Sequence, residues 1–297
     1  MARRIAVTGS SGLIGTPLVA ALTERGDEVV RLVRHTPRAA GEVRWDPASR
    51  RVDAAALDGV DGVVHLAGAG VGDKRWTPSY KHVILSSRTD GTHAIASAIA
   101  ETGREIRLVS GSAVGFYGDR GDEELTEANP AGTGFLTDVV LAWEASAAPA
   151  VDAGSPVAFA RTGIVMSPEG GAMGRLLPLA RLGLAGPLGS GRQFWPWITL
   201  TDEVAALIHL LDRPDITGPV NLVGPAPARQ RDVVAQIGSV LHRPSVLPAP
   251  SIALKMVLGE FASDILGSQR IVGEVLAASG FEHQHADLES AVAWLLG

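Results

Sequence analysis

The stretch RIAVTGSSGLIG at residues 4–15 constrains this chain more than any other segment. An apolar run, Ile5-Ala6-Val7, enters Gly9-x-x-Gly12-x-x-Gly15, and Leu13, Ile14 and Leu18 to Leu22 continue at helical spacing. Gly9 lets the chain turn sharply after the strand, and Gly12 leaves no Cβ between the backbone and an approaching pyrophosphate. Gly15 lets the new helix pack closely on the strand, with its positive N-terminal end facing the phosphates. The triplet alone would be an ordinary glycine-rich turn. Set between a strand and a helix, it predicts a dinucleotide-binding unit.

The same alternation runs on through the first two-thirds of the chain. Strand-like runs fall at Glu28–Val33, Gly62–Leu66, Ile106–Ser110, Val157–Arg161 and Pro219–Leu222, with helical patterns at Thr16–Arg25, Tyr80–Glu101, Leu136–Ala148 and Asp202–Leu211. This order predicts an α/β fold, a Rossmann-type doubly wound parallel sheet. Thr201-Asp202 reads as the cap of the last of these helices. Composition shifts near residue 163. Gly163–Arg192 is too glycine-rich for regular elements throughout, though Met173–Leu182 suits a short helix. Further helical patterns at Arg229–Leu241, Ile252–Gly259 and Asp287–Leu296 suggest a smaller, mostly helical lobe. The expected division is a nucleotide-binding domain over 1–222, carrying the glycine-rich substrate loop 163–192, and a small C-terminal domain over 223–297.

Composition narrows the function. A net charge of −6 argues against a nucleic-acid backbone as main partner. With no cysteine, thiolate nucleophiles, disulfides and cysteine-held metal clusters are excluded. MARRIAVTG goes straight into a strand without an apolar signal core, and no window approaches the apolar length of a bilayer span. The expectation is a cytoplasmic protein with a small-molecule substrate, no nucleic acid, no membrane and no bound metal. A second copy of the chain, as a homodimer, is the only macromolecular partner envisaged. Asp122-Glu123-Glu124 reads as a solvated loop rather than a metal site.

Which dinucleotide is bound turns on the end of the second strand. An acid there bonds the adenosine ribose hydroxyls, whereas an arginine accommodates a 2′-phosphate. Here Val33 is followed by Arg34 and His35, with Arg38 soon after and no acid before Glu42. A planar guanidinium holds phosphate through two hydrogen bonds, so the reading favours NADP(H). The alternative is that Arg34 is a solvated charge at a strand end.

With Gly9, Gly12, Gly15 and His65-Leu66-Ala67-Gly68 in place, the chain resembles the extended short-chain dehydrogenase/reductase superfamily. It is similar in particular to its atypical "epimerase family" group. The closer likeness lies in RWTPSYKHVILSSRTDGT (75–92), in 170–198 and in 247–292. The resemblance implies a Rossmann fold, NADPH binding and the group's own small C-terminal domain. Carried over residue by residue, it gives Gly9, Gly12, Leu13, Ile14 and Gly15 to the pyrophosphate and Arg34, beside His35, to the 2′-phosphate. Leu66, Ala67 and Gly68 would lie along the adenosine and ribose, with Arg88 and Ser110 also at the cofactor and Ile164 near its nicotinamide end. Read without the resemblance, Arg88 would be a surface charge. His65 reads as a packed strand residue.

The superfamily's working dehydrogenases use Ser with a Tyr-x-x-x-Lys pair, in which the lysine lowers the tyrosine pKa. Neither Tyr80 nor Tyr117 has a lysine four residues on. Anchoring FLTDVVLAWE (135–144) on Glu144 puts Leu136 and Val140 where Tyr and Lys belong. The substitutes are Ser112, at the strand end that would supply the catalytic serine, and Tyr117, an acid whose pKa should stay near 10 without a neighbouring cation. Ser110 and Ser112 serve equally as strand-end caps. Trp195 and Trp197, with Phe194, would wall the substrate pocket or lie buried under the C-terminal lobe. Two functions stand open: an NADP(H)-dependent oxidoreductase or epimerase-like enzyme, and an NADPH-binding scaffold or regulator without turnover.

Overall fold

Seven parallel strands carry the molecule, in the order β11-β7-β5-β4-β1-β2-β3. The computed structural model describes residues 2–297. In chain order the elements are β1 (Arg4–Thr8), α1 (Gly15–Glu24), β2 (Glu28–Val33), β3 (Glu42–Arg44), β4 (Gly62–His65) and α2 (Pro78–Glu101). Next come β5 (Arg107–Ala113), β6 (Glu124–Leu125), α3 (Phe135–Ala145), α4 (Ala148–Asp152), β7 (Val157–Thr162) and β8 (Ile164–Met166). They are followed by α5 (Gly171–Arg181), β9 (Phe194–Trp195), β10 (Trp197–Thr199), α6 (Leu200–Asp212), β11 (Gly218–Leu222) and β12 (Ala228–Arg229). The chain ends with α7 (Gln230–Val240), α8 (Ser251–Leu258), α9 (Phe261–Leu266), β13 (Arg270–Ile271), α10 (Glu274–Ala278) and α11 (Leu288–Leu296).

The strands are apolar on both sides because both sides are covered. On one face Ile5, Val7, Val64 and Val109 pack with Leu18 and Leu22 of α1 and Val204, Leu207 and Leu210 of α6. On the other, Ala6, Val63 and Leu108 meet Ile95 and Ile99 of α2. Truncating one such leucine or isoleucine to alanine costs about 2–5 kcal/mol. A buried arginine ties the layers together: Arg107 Nε and Nη2 donate to the Leu210 and Ile216 carbonyls at 3.0 and 2.8 Å. This puts a cation at the C-terminal end of α6, where the helix dipole favours it.

The order reverses at β1, which lies between β2 and β4. Ligands of open parallel sheets bind in the crevice beyond the strand ends at such a switch point. Thr8 and His65 are the last register pair of β1 and β4, so Gly9 and Leu66 open that crevice.

One helix cap differs from expectation. The α6 cap is Thr199, whose hydroxyl accepts from Asp202 N, so Thr201 and Asp202 lie inside the first turn. Asp202 instead receives the Gln284 and His285 N–H groups and so anchors the C-terminal chain. The glycine-rich segment also does not stand apart from the C-terminal residues. Met173 and Leu177 of α5 share one core with Val233 and Ile237 of α7 and Val292 and Leu295 of α11.

Candidate functional site

The glycine turn is shaped by close approach. Gly9 sits at φ +66°, and a Cβ on Gly15 would lie 2.1 Å from the Gly9 carbonyl oxygen. A Cβ on Gly12 would meet only that same oxygen, at 3.2 Å, and the outer side of Gly12 is open. Helix α1 starts behind Ile14 with no side-chain cap and no acid in its first turn. Thr16 N donates to the Gly12 carbonyl and Pro17 has no N–H, so among the described residues the amides left unpartnered at this positive dipole end are those of Leu13, Ile14 and Gly15, the donors an anion site needs.

Thr8 orders the neighbouring edge. Its hydroxyl oxygen accepts from Leu66 N and Ala67 N, so its single proton goes to His65 Nδ1 at 2.8 Å. His65 is thereby a neutral ring protonated on Nε2, and burial lowers its pKa to about 4. It is a packed strand residue. Gly68 rests on Arg88, whose Nη1 donates to the Ala69 and Ile84 carbonyls at 2.9 and 3.0 Å. Arg88 therefore braces the Leu66–Ala69 loop from behind, and burial lowers its pKa to about 10.

At the end of β2, Arg34 and His35 are exposed. The nearest acid is already engaged, since Glu42 pairs with Arg31 at 3.2 Å and accepts from Arg38 N. Asp27 and Glu28 pair with Arg25 and Arg4 at the far end of the strand. Arg34 has no carboxylate partner among the described residues.

Where Tyr and Lys would stand, α3 presents Leu136 and Val140. Leu136 packs on Gly115, and Val140 is buried with Val114, Phe116 and Tyr117. One turn further along the same face is Glu144, joined to Arg161 Nε and Nη2 by two 2.9 Å bonds. Ser112 is 4% exposed, and its hydroxyl donates to Glu144 Oε1 at 2.6 Å.

Burial sets the part of four expected positions. Tyr117 has no accessible surface; its hydroxyl donates to Asn221 Oδ1 at 2.8 Å and accepts from Arg161 Nη1 at 3.1 Å. It does have a cationic neighbour, yet burial prevails and raises its pKa, so it is not a proton donor to the cleft. Ser110 is fully buried and bonds only the Gly111 carbonyl, so it cannot touch a cofactor. Trp195 and Trp197 are packed under the C-terminal lobe, with Trp197 Nε1 on the Ala226 carbonyl, rather than walling a pocket.

The cleft is closed by other residues. Gly170 and Gly171, at the start of α5, lie against Leu13 of the glycine turn. Gly72 lies beside Phe261 and Arg175, and Trp76 meets Phe135 edge-on and Phe261 at a tilt, with ring centroids 4.9 and 5.1 Å apart. Ile164 continues from Thr162 and Gly163 at the end of β7. Beneath it Glu203 is wholly buried, accepting from Thr162 Oγ1 at 2.7 Å while Oε2 has no partner. Burial pushes this carboxyl up to about 8, so it is protonated at neutral pH.

Glu144, Arg161 and Glu203 were not singled out from sequence as site residues. Arg161 carried a usable signal, because a charge inside a strand covered on both faces must be paired. The acidic run Asp122-Glu123-Glu124 is spent on ion pairs with Arg229, Arg120 and Arg270. No helix among the described residues is long and apolar enough to cross a membrane.

Comparison with known proteins agrees with this geometry. The NAD dependent epimerase/dehydratase family matches residues 5–223, and a domain of unknown function (DUF1731) matches residues 249–295. Epimerase family protein Mb2239 of Mycobacterium bovis is 40% identical over 98% of this chain and 96% of its own. Mouse epimerase family protein SDR39U1 is 35% identical over 97% of this chain and 98% of its own. The crystal structure of human epimerase family protein SDR39U1 (isoform 2) with NADPH superposes with a TM-score of 0.90 at 31% identity, covering 98% of both chains.

Proposed function

This chain belongs to the NAD-dependent epimerase/dehydratase family, and on that premise we propose that it is a cytoplasmic NADP(H)-binding oxidoreductase or epimerase-like enzyme for a small molecule. The observation that carries the reading is the uncapped start of α1 behind Gly9, Gly12 and Gly15, with Arg34 free at the end of β2. Human SDR39U1, crystallised with NADPH, supports the choice of cofactor.

The residues present fit that cofactor. The Leu13, Ile14 and Gly15 N–H groups and the open side of Gly12 take the pyrophosphate, and Arg34 takes the 2′-phosphate. Leu66, Ala67 and Gly68, braced by Arg88, line the adenosine side. Ile164 lies toward the nicotinamide end. When bound, NADP(H) supplies or accepts a hydride there.

This chain's own part is positioning and proton handling. Ser112, its proton committed to Glu144, accepts a hydrogen bond from a substrate hydroxyl. Arg161 holds Glu144 through two hydrogen bonds and keeps it aimed at Ser112. Gly170, Gly171, Trp76 and Phe261 wall the cleft against water. No side chain replaces the Tyr–Lys proton exchange directly, so the proton goes to water, or to the Ser112 hydroxyl as that group passes its own proton to Glu144 Oε1.

The aliphatic Leu136 and Val140 favour a second reading, an NADPH-responsive scaffold or regulator without turnover. One experiment separates them. Protein saturated with NADPH is offered carbonyl compounds, quinones and nucleotide sugars while absorbance at a wavelength specific to reduced cofactor is followed. Turnover with any class supports the enzyme. A large thermal shift on NADPH with no oxidation by any panel member selects the regulator.

A further inference from the structure

Exposed apolar side chains are concentrated on one part of this surface. Of the twelve large apolar residues standing out into solvent among the described residues, nine fall within 179–184 and 240–257. Leu182, Val246, Ile252, Met256 and Val257 are each 67–74% exposed. Helix α8 buries none of its eight residues, although five of them are Ile, Leu, Met or Val. The two segments lie side by side: Leu188 bridges Ala249, Ala249 N donates to the Pro187 carbonyl at 2.8 Å, and Gly183 and Gly186 rest on Pro244 and Leu247. The exposed side chains therefore belong to one patch.

Within the segments that form this patch the charge has a single sign. In a protein of net charge −6, residues 170–201 and 233–259 contain no Asp or Glu. They contribute Arg175, Arg181, Arg192, Arg243 and Lys255, all exposed. None of these five pairs with a carboxylate among the described residues. A patch of this size on a soluble chain marks an interaction site. A second copy docking by the same face would lay one acid-free patch on another, so these cations would find no carboxylate across the interface. An anionic partner with an apolar interior meets both features.

We propose that the α5 end, the 243–250 segment and α8 form a peripheral docking face for an anionic lipid bilayer, with Leu182, Val246, Ile252, Met256 and Val257 entering the acyl boundary and Arg181, Arg243 and Lys255 on the headgroups. The face lies on the bilayer without spanning it. It also adjoins the cleft: α8 runs into α9, where Phe261 stacks on Trp76 and Glu260 pairs with Lys81 at 2.6 Å. Docking brings the cleft mouth to the membrane surface.

The test is flotation of the full chain with phosphatidylcholine vesicles, with and without phosphatidylglycerol, at low and high salt. Binding is expected only with phosphatidylglycerol and should weaken as salt rises. Arg181→Glu/Arg243→Glu/Lys255→Glu should weaken it by about a hundredfold or more, at roughly fivefold per cation neutralised. Ile252→Asp/Met256→Asp should also release the protein. Both variants should keep the wild-type melting temperature, which shows that they fold. No binding to phosphatidylglycerol vesicles at low salt overturns the proposal, as does binding that survives charge reversal. A dimer seen by light scattering that Ile252→Asp/Met256→Asp dissociates, with no vesicle binding, assigns the face to a second copy and also overturns it.

Discussion

Arg161 and Glu144 meet side-on in a buried two-point ion pair, 2.9 Å at each contact, one helical turn beyond where a catalytic lysine would stand. Neighbouring Ser112 on β5 is register partner to Arg161 on β7, so three polar groups are brought together by strand pairing and one face of α3. Around them the Arg161 guanidinium rests 3.5 Å above the Phe116 ring.

Removing one half of this pair leaves a buried charge without its partner. Arg161→Met is expected to lower unfolding stability by about 3–5 kcal/mol. The double variant Arg161→Met/Glu144→Leu should recover most of the loss, because no charge is then stranded. Urea midpoints read at constant slope measure both. Equal losses in the single and double variants would show that the pair does not act as a unit.

Gly12 and Gly15 should part company under the same substitution. Gly15→Ala sets a methyl 2.1 Å from a backbone oxygen that cannot swing away, so the protein should lose about 2 kcal/mol or more of stability. Gly12→Ala meets that oxygen at 3.2 Å and should fold, yet it should lose NADPH binding because the methyl occupies the phosphate approach. Thermal melts with and without NADPH separate the two outcomes.

Arg34→Ala should cost NADPH about ten- to a hundredfold in affinity, the worth of a charged hydrogen bond of about 1.5–3 kcal/mol, and leave NADH nearly unchanged. Calorimetry with both cofactors gives the ratio. Equal losses for the two would remove Arg34 from the 2′-phosphate.

Glu203 makes stability depend on pH in a direction opposite to a paired carboxylate. Its folded pKa is about 8 against an ordinary 4.5, so between those values the native state holds a proton that the unfolded chain gives up. Stability therefore falls as pH rises through that window, by at most about 1.4 kcal/mol per unit, and levels off above it. Glu203→Gln should flatten this slope. Melting temperatures of both proteins from pH 5 to 9 check it, and parallel curves would refute it.

Some of this architecture was legible from local pattern. The limits of β2 agree residue for residue with the expected Glu28–Val33, and the glycine triplet forms the tight turn and close packing its spacing implied. The short edge strand β3, only three residues long, and the small helices α9 and α10 left no periodic trace in the sequence. At the site, the exposed place of Arg34 at the end of β2 was legible because it is set by the limits of a strand. The burial of Tyr117 and Ser110 was not legible, because sequence cannot tell a group facing the cleft from one closed over by a distant segment, and of the two readings open for Trp195 and Trp197 the structure has the buried one.

Strand and helix periods, glycine spacing and charge at a strand end are local properties of the chain, and they determined the sheet, the dinucleotide turn and the choice of cofactor from sequence alone. Only the tertiary structure joined Glu144 to Arg161, bound Tyr117 to Asn221 across the sheet and buried Glu203 under Thr162. Those contacts link residues from 17 to 104 positions apart. Burial and pairing at such distances depend on how the layers close, and this is what decides which side chains keep a charge and which can reach a ligand.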